Sequence, residues 1–164
     1  MDVGPVANAS HLLTLLRARG FRGSSTRLNI AGPDAETWTH HGGRKFLKEP
    51  VLSDVVKSGV IFRVVREQLP WIDRLTLNKN LKCAKHKDKN EGFSYICFLG
   101  DCSGGGLFVE SPDGLLHFNE KGRWYRYNGR WPHWTEDFEG ERYAIVALSL
   151  IHISEPTRLG MISY

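Results

Sequence analysis

The chain has 164 residues, of which 41% are apolar, so it is long enough for one domain with a hydrophobic core and too short for two comfortable ones. The net charge of +4 allows weak attraction to anionic partners but does not by itself indicate nucleic-acid binding. Three cysteines, and no apolar run of about 20 residues, argue against a disulfide scaffold and a membrane span, and predict a soluble intracellular protein with reduced thiols.

Residues 1–48 predict a helix followed by a loop region. Ser10 can serve as the N-cap of the segment HLLTLLRAR, and Gly20 directly follows the end of that segment. From Gly20 to Lys48 the clusters GSS, GPD and HHGG are typical of loops. We therefore expect one short helix and little other regular structure in this region.

Over residues 49–147 the apolar pattern changes from helical to alternating. A helix is predicted from Ser53 to Leu69, and Pro70 ends it. Short segments rich in β-branched and aromatic residues follow, separated by turn residues: LTLN, FSYICFLG, GLFVE, LLHFN, RWYRY and RYAIVAL. Many short strands with tight turns predict an α+β, mainly β fold, a jelly roll with an N-terminal helical layer.

The stretch LKCAKHKDKNEG, Leu81 to Gly92, places one histidine and one aspartate among lysines. In a strand, residues two apart share a face, so His86, Asp88 and Asn90 would face one side and the intervening lysines the other. A helix would instead separate His86 and Asp88 by about 200°. Because the surrounding sequence is rich in strands, we expect the imidazole and the carboxylate to converge on one metal ion, which then needs a third ligand.

The segment RWPHWTEDFEGERYAIVAL can supply that ligand, His133, from a distant strand. Arg142 in the same segment opens an apolar strand, and a guanidinium on an inward face needs an anion. A dicarboxylate could bind it through two parallel hydrogen bonds. His117 and Arg126 form a rival pair with the same separation. We prefer His133 and Arg142 because only Arg142 leads into an apolar strand.

Four elements in order, HKD, GDCSGGGLFVE, RWPH and GERYAIV, resemble the Fe(II)/2-oxoglutarate-dependent oxygenases of the double-stranded β-helix fold. The resemblance extends over about Trp71 to Ala147 and implies an oxidoreductase. It implies that Fe(II) is held by His86, Asp88 and His133, which act in catalysis. Arg142 would bind the far carboxylate of 2-oxoglutarate, and dioxygen would be the second cosubstrate.

Within this superfamily, LTLNKNLKCAKHKDKNEG followed by FLGDCSGGGLFVE is most similar to the TET/JBP group, which oxidises the 5-methyl group of pyrimidine bases in DNA. The NKN…HxD…N pattern adds Asn90 as a cofactor-binding residue. The resemblance implies a dioxygenase that hydroxylates a 5-methylpyrimidine in DNA, with DNA as partner and a nuclear location. An oxygenase acting on a protein side chain or a small metabolite, and a jelly-roll binding module without a working metal site, are the alternatives.

Two other interpretations of the same stretch stay open. The cysteines and one histidine roughly have the spacing of a four-ligand zinc site, although alternation within FSYICFLG favours a core position for the second cysteine: Cys83, His86, Cys97 and Cys102. The lysines could follow a phosphate backbone or form a solvated face: Lys79, Lys82, Lys85, Lys87 and Lys89.

The C-terminal segment LSLIHISEPTR, Leu148 to Arg158, resembles the in-frame translation of a transposase adapter used in sequencing libraries. We therefore predict that residues 148–164 are an artefactual tail and leave them out of the functional interpretation. The native sequence after about Ala147 is then open.

Overall fold

A computed structural model describes residues 1–21, 25–33, 36–39, 45–46, 52–89 and 92–149. These residues form two helices and thirteen strands, in the order β1 (Asp2–Pro5), α1 (Ala9–Arg19), β2 (Thr26–Ile30), β3 (Glu36–Thr39), β4 (Lys45–Phe46), α2 (Leu52–Gln68), β5 (Arg74–Lys79), β6 (Phe93–Leu99), β7 (Cys102–Gly104), β8 (Leu107–Ser111), β9 (Gly114–Phe118), β10 (Arg123–Asn128), β11 (His133–Thr135), β12 (Phe138–Gly140) and β13 (Tyr143–Leu148).

The strands form one large sheet and two small ones. The large sheet has the order β1-β10-β6-β13-β5-β2-β3-β4, and the small sheets are β11-β8-β9 and β12-β7. The neighbouring strands in all three sheets are antiparallel. β13, the last strand along the chain, lies between β5 and β6 in the middle of the large sheet. The predicted mainly β jelly roll is confirmed, as are the six predicted strands within it.

The large sheet is buried on both faces, which divides the core in two. One face packs against the two helices, and the other packs against β8 and β9. Alternation within single strands shows this division: in β6, Tyr95 and Cys97 belong to the helix side, whereas Ile96 and Phe98 belong to the small-sheet side. The predicted helical layer is therefore present. No helix in the described part of the chain is long and apolar enough to cross a membrane.

Helix α2 agrees with its prediction to within one residue at each end, but the N-cap prediction for α1 is wrong. Asn8 precedes α1 with a left-handed φ of 55° and forms no side-chain cap, while Ser10 lies inside the helix. The Ser10 carbonyl accepts a hydrogen bond from the Thr14 hydroxyl, so its residue is part of the first turn. Gly20 follows the last helical residue with φ 67°, as predicted.

The loop prediction for Gly20 to Lys48 is wrong where the structure describes that region. β2 pairs with β5 over five residues, and Leu28 and Ile30 are fully buried against the helices. The segment TRLNI alternates apolar and polar residues, and the edge of β5 provides the backbone hydrogen bonds that it needs. The flanking Gly, Ser and Pro residues outweighed this short alternation in the sequence.

We predict that Leu28→Ala destabilises the protein by about 2–5 kcal/mol, since it removes a fully buried side chain and leaves a cavity. Leu115→Ala is the matched control, because Leu115 is 59% exposed on β9 and should cost less than about 0.5 kcal/mol. Urea unfolding followed by circular dichroism measures both. Equal losses in the two variants would contradict the integration of β2 into the core.

Candidate metal centre and its pocket

The segment that carries His86 is not the regular strand that the sequence predicts. It forms one isolated antiparallel bridge, in which the His86 and His133 backbones donate to each other at 3.0 and 2.9 Å. Further along β11, Thr135 donates to the carbonyl of Cys83 at 3.0 Å. Cys83 and His86 are three positions apart, whereas their partners His133 and Thr135 are two positions apart. The segment with His86 therefore contains one extra residue, as in a β-bulge. The same-face relation of His86 and Asp88 nevertheless holds, because Asp88 N–H is bound to the Gly129 carbonyl at 2.8 Å.

His86, Asp88 and His133 come together as predicted. Their ligand atoms all lie within 4.8 Å of one another. The carboxylate of Asp88 sits between the two rings, with Oδ1 3.4 Å from His86 Nε2 and Oδ2 3.4 Å from His133 Nε2. Two ligands at right angles around an ion, each about 2.1 Å from it, are about 3 Å apart, so a small shift would fit this set to one ion.

Backbone carbonyls fix the protonation of both imidazoles. His86 Nδ1 is 2.7 Å from the Ala84 carbonyl, and His133 Nδ1 is 2.7 Å from the Trp131 carbonyl. Because a carbonyl only accepts hydrogen bonds, each Nδ1 must carry the proton. In the neutral ring Nε2 then presents its lone pair towards Asp88, which is the arrangement of metal-binding histidines.

The candidate centre is buried from solvent on the side of His133 and partly exposed to solvent on the side of His86 and Asp88. The side chain of His133 is 4% exposed, whereas those of His86 and Asp88 are 40% and 30% exposed. Burial lowers the pKa of His133, but the hydrogen bond to Asp88 and the Trp131 carbonyl outweigh it and raise the pKa overall. Protons therefore compete with a metal ion for His133 Nε2.

Arg142 is a buried cation beside this centre. It is 2% exposed, and burial lowers its pKa to about 10. Its Nε donates to the Gly105 carbonyl at 2.6 Å and its Nη1 to the Leu81 carbonyl at 3.2 Å. The rings of Phe98 and Phe138 lie 5.5 and 5.6 Å from the guanidinium carbon. Among the described residues no carboxylate pairs with it, so its charge is available to an anion in the pocket.

Gly105 and Asn80 position Arg142, and the sequence interpretation assigned a role to neither. A Cβ on Gly105, which has φ +84°, would lie 2.9 Å from Arg142 Cδ, so the GGG run brings the backbone against the guanidinium stem. The Asn80 side chain accepts from the Arg142 backbone N–H at 2.8 Å. Gly105 thus forms part of the surface against which the Arg142 side chain packs.

A pocket of about 240 Å³ connects the metal centre with Arg142. It lies on the face of the large sheet that the small sheets cover. Its apolar lining includes Ile96, Leu107, Ala144 and Val146. Its polar lining comes partly from β2 and β5, which the sequence did not connect with the site: Arg27, Asn29, Thr76 and Asn78. Alternation within TRLNI was the signal that could have placed Arg27 and Asn29 on one face.

The rival ligands lie elsewhere. His117 is 2.8 Å from Glu136 and stacks on Phe108 with ring centroids 4.2 Å apart. Arg126 lies over the ring of Phe93. No zinc site assembles among the described residues, since His86, Asp88 and His133 form the metal-ligand group found there. Cys97 is fully buried in β6, where burial raises the pKa of its thiol, as expected of a core cysteine.

The lysine-rich face is partly neutralised by acidic residues. Lys82 pairs with Asp137 and Lys85 with Glu110, and Lys85 also lies over the ring of Trp134. Lys79 lies over Tyr143. The paired carboxylates offset part of the positive charge that would otherwise attract a phosphate backbone.

Asn90 and residues 150–164 lie outside the described residues. The role of Asn90 and the origin of the C-terminal tail therefore stay predictions. Of the predicted tail, Leu148 ends β13 and Ser149 is buried.

No protein-family model matches the chain, and no curated protein matches it. Among solved structures, a 2OG-Fe(II) oxygenase family oxidoreductase from Burkholderia pseudomallei is similar with a TM-score of 0.53 and 16% identity, over 87% of this chain and 81% of that chain. NgTET1 in complex with 5mC DNA is similar with a TM-score of 0.50 and 11% identity, over 91% of this chain and 67% of that chain. At these identities the likeness establishes the fold alone, a jelly roll of the kind that these two structures have.

We predict that Gly105→Ala destabilises the protein more than Gly122→Ala does. Both glycines have a left-handed φ, +84° and +78°, so both substitutions carry a backbone cost of about 1–2 kcal/mol. Only at Gly105 does the added Cβ meet Arg142; at Gly122 nothing lies within 4 Å. The excess should be about 1–3 kcal/mol in urea unfolding. Similar losses would show that the guanidinium stem moves aside freely.

Proposed function

We propose that this protein is an Fe(II)/2-oxoglutarate-dependent dioxygenase. One observation carries the proposal: two histidines and one aspartate converge in the same pocket as Arg142, a buried cation that pairs with no carboxylate among the described residues. Two imidazoles and one carboxylate are the ligand set of non-haem Fe(II) oxygenases, and the buried cation suits a dicarboxylate cosubstrate.

The residues present fit Fe(II). His86 and His133 would hold it through Nε2 and Asp88 through a carboxylate oxygen, which leaves positions for cosubstrate and dioxygen. The donor set contains nitrogen and oxygen without thiolate, which suits iron better than a structural zinc ion. When bound, iron with dioxygen and 2-oxoglutarate supplies the oxidation: one oxygen atom enters the substrate, the other enters succinate, and carbon dioxide leaves.

The chain's own residues hold and orient these groups. The Ala84 and Trp131 carbonyls hold both Nδ1 atoms, so that both Nε2 lone pairs would be free to hold an ion. Gly105 and Leu81 fix Nε and Nη1 of Arg142, so its other guanidinium hydrogens can bind the far carboxylate of 2-oxoglutarate. The Phe98 and Phe138 rings lie beside the Arg142 guanidinium, and these apolar surroundings would strengthen its ion pair with the carboxylate.

For the substrate we propose a 5-methylpyrimidine base in DNA, with hydroxylation of its methyl group. The sequence motifs, the net charge of +4 and the similarity to NgTET1 in complex with 5mC DNA support this choice. A base in duplex DNA would have to leave the stack to reach the pocket. This proposal implies a nuclear location. Asn90 is proposed as a further cofactor-binding residue on the motif alone.

A small-molecule substrate is the second candidate. The observation that favours it is the pairing of Lys82 and Lys85 with acidic residues, which weakens the surface that would follow a DNA backbone. Consumption of 2-oxoglutarate distinguishes either enzyme from a non-catalytic binding module, which would not consume it.

We predict that His86→Ala and Asp88→Ala abolish iron-dependent formation of succinate from 2-oxoglutarate. Each removes one of three ligands, and metal affinity should fall more than about 100-fold. Calorimetric titration with Fe(II) without oxygen measures binding, and mass spectrometry measures succinate. His117→Ala is the control and should keep both, because His117 lies with Glu136 and Phe108. Undiminished turnover in either ligand variant contradicts the proposed function.

We predict that the protein with Fe(II) and 2-oxoglutarate converts 5-methylcytosine in DNA to 5-hydroxymethylcytosine. Mass spectrometry of the digested nucleosides detects the product, and an unmethylated duplex and the His86→Ala protein are the controls. Succinate formation without a modified base would reject DNA as substrate and favour a small molecule. No consumption of 2-oxoglutarate would favour the binding module.

A further inference from the structure

Arg27 is a second cation in the pocket. In β2 the side chains of Leu28 and Ile30 pack on the helices, while Arg27 and Asn29 line the pocket. Arg27 pairs in register with Asn78 on β5. The polar residues of the pocket on β2 and β5 are therefore held by the hydrogen bonds of the large sheet; we call them the polar wall: Arg27, Asn29, Thr76 and Asn78.

Two hydrogen bonds hold the guanidinium of Arg27, and neither acceptor is a carboxylate. Nε donates to Asn78 Oδ1 at 3.0 Å, and Nη2 contacts Cys83 Sγ at 2.9 Å. Asn78 is itself fixed, because its amide donates to the Ala144 carbonyl at 3.4 Å. A guanidinium has five N–H donors, so this arrangement fixes its plane and leaves donors for a ligand. No acidic side chain in the described part of the chain pairs with Arg27.

The charges of the pocket point to an additional anion. Arg27, Arg142 and Asp88 are the charged residues among its described lining, so the protein contributes one net positive charge, with the histidines neutral. Under the proposed function a divalent ion adds two positive charges and 2-oxoglutarate two negative ones, which cancel. One positive charge is left. Since Arg142 is assigned to 2-oxoglutarate, that charge belongs to Arg27.

We propose that Arg27 binds an oxyanion of the substrate itself. This inference rests on the proposed function, under which the oxyanion is a phosphate attached to the nucleoside. Arginine binds phosphate through two parallel N–H···O bonds, and Asn78 and Cys83 hold the fork in place before the ligand arrives. The substrate is then a nucleotide, free or within a DNA strand, and not a free base or nucleoside.

The test compares two probes that differ only in the phosphate, 5-methyl-2′-deoxycytidine and its 5′-monophosphate. Calorimetry with the full chain, with and without Fe(II) and 2-oxoglutarate under anaerobic conditions, measures both affinities. We expect the nucleotide to bind about 10- to 100-fold more tightly than the nucleoside. Arg27→Gln should remove this preference, and Arg27→Lys should keep part of it because the charge stays while the planar fork is lost.

Arg63→Gln is the matched control, because Arg63 is an exposed arginine on α2 away from the pocket, and its preference should equal that of the wild type. Equal binding of the two probes to the wild-type protein overturns the inference without any variant, and so does a preference that survives in Arg27→Gln. A third contrary result is a loss of 2-oxoglutarate affinity in Arg27→Gln as large as that in Arg142→Gln, which would place Arg27 in the cosubstrate site.

The two proposals can fail separately. Nucleotide binding is measured without iron as well, so an Arg27-dependent preference supports the oxyanion site even in a protein that does not turn over 2-oxoglutarate. Conversely, turnover in the wild type together with equal binding of the two probes contradicts the Arg27 inference alone. A short single-stranded oligonucleotide with one 5-methylcytosine distinguishes the two sources of phosphate. Arg27-dependent binding of the oligonucleotide indicates DNA as the substrate. Arg27-dependent binding of the mononucleotide alone indicates a free nucleotide.

Discussion

The pair of backbone hydrogen bonds between His86 and His133 is the contact on which the candidate site depends. It joins an irregular segment to β11, so that residues 47 positions apart along the chain present their rings side by side, with centroids 4.3 Å apart. A bridge of this kind sets the distance between two backbones, and the bonds from Nδ1 to Ala84 and Trp131 then set the ring orientation. Main-chain groups therefore set both the separation and the orientation of the two imidazoles in the candidate site.

A second constraint lies at the start of β13, where a charged residue enters the middle of the large sheet. Tyr143 and Ile145 belong to the helix-side core, and Ala144 to the other side. A guanidinium next to these residues costs free energy unless its hydrogens are bound, and the Gly105 and Leu81 carbonyls bind two of them. The glycine at position 105 is thus required by the position of Arg142. A side chain at position 105 would occupy the space that the guanidinium stem requires.

The sequence predicted the central strands because both of their faces are buried, so each strand is a nearly continuous run of apolar residues, as in FSYICFLG and YAIVAL. It also predicted three candidate ligands and one arginine that the structure brings into one pocket. The spacing of His86 and Asp88 and the costly inward charge of Arg142 are local properties, whereas the role of His133 came from the resemblance in motif order. It did not place Arg27 in the site, although TRLNI alternates, and it did not predict the bulge beside His86. Both depend on which edge a short segment pairs with, and pairing between distant segments leaves little local trace in the chain.

The distribution of charge has a consequence for recognition. On the lysine-rich surface, Lys82 and Lys85 pair with acidic residues, and exposed ion pairs of this kind screen the potential that attracts an anion from a distance. In the pocket the opposite holds: Arg27, Arg142 and one carboxylate, Asp88, are the charged residues of its described lining, and Asp88 is itself one of the three candidate metal ligands. A charge in a pocket of low dielectric constant interacts more strongly with a bound anion than the same charge in water does. Discrimination between anionic ligands is therefore expected to depend on contacts made inside the pocket, at the polar wall that β2 adds to the sheet.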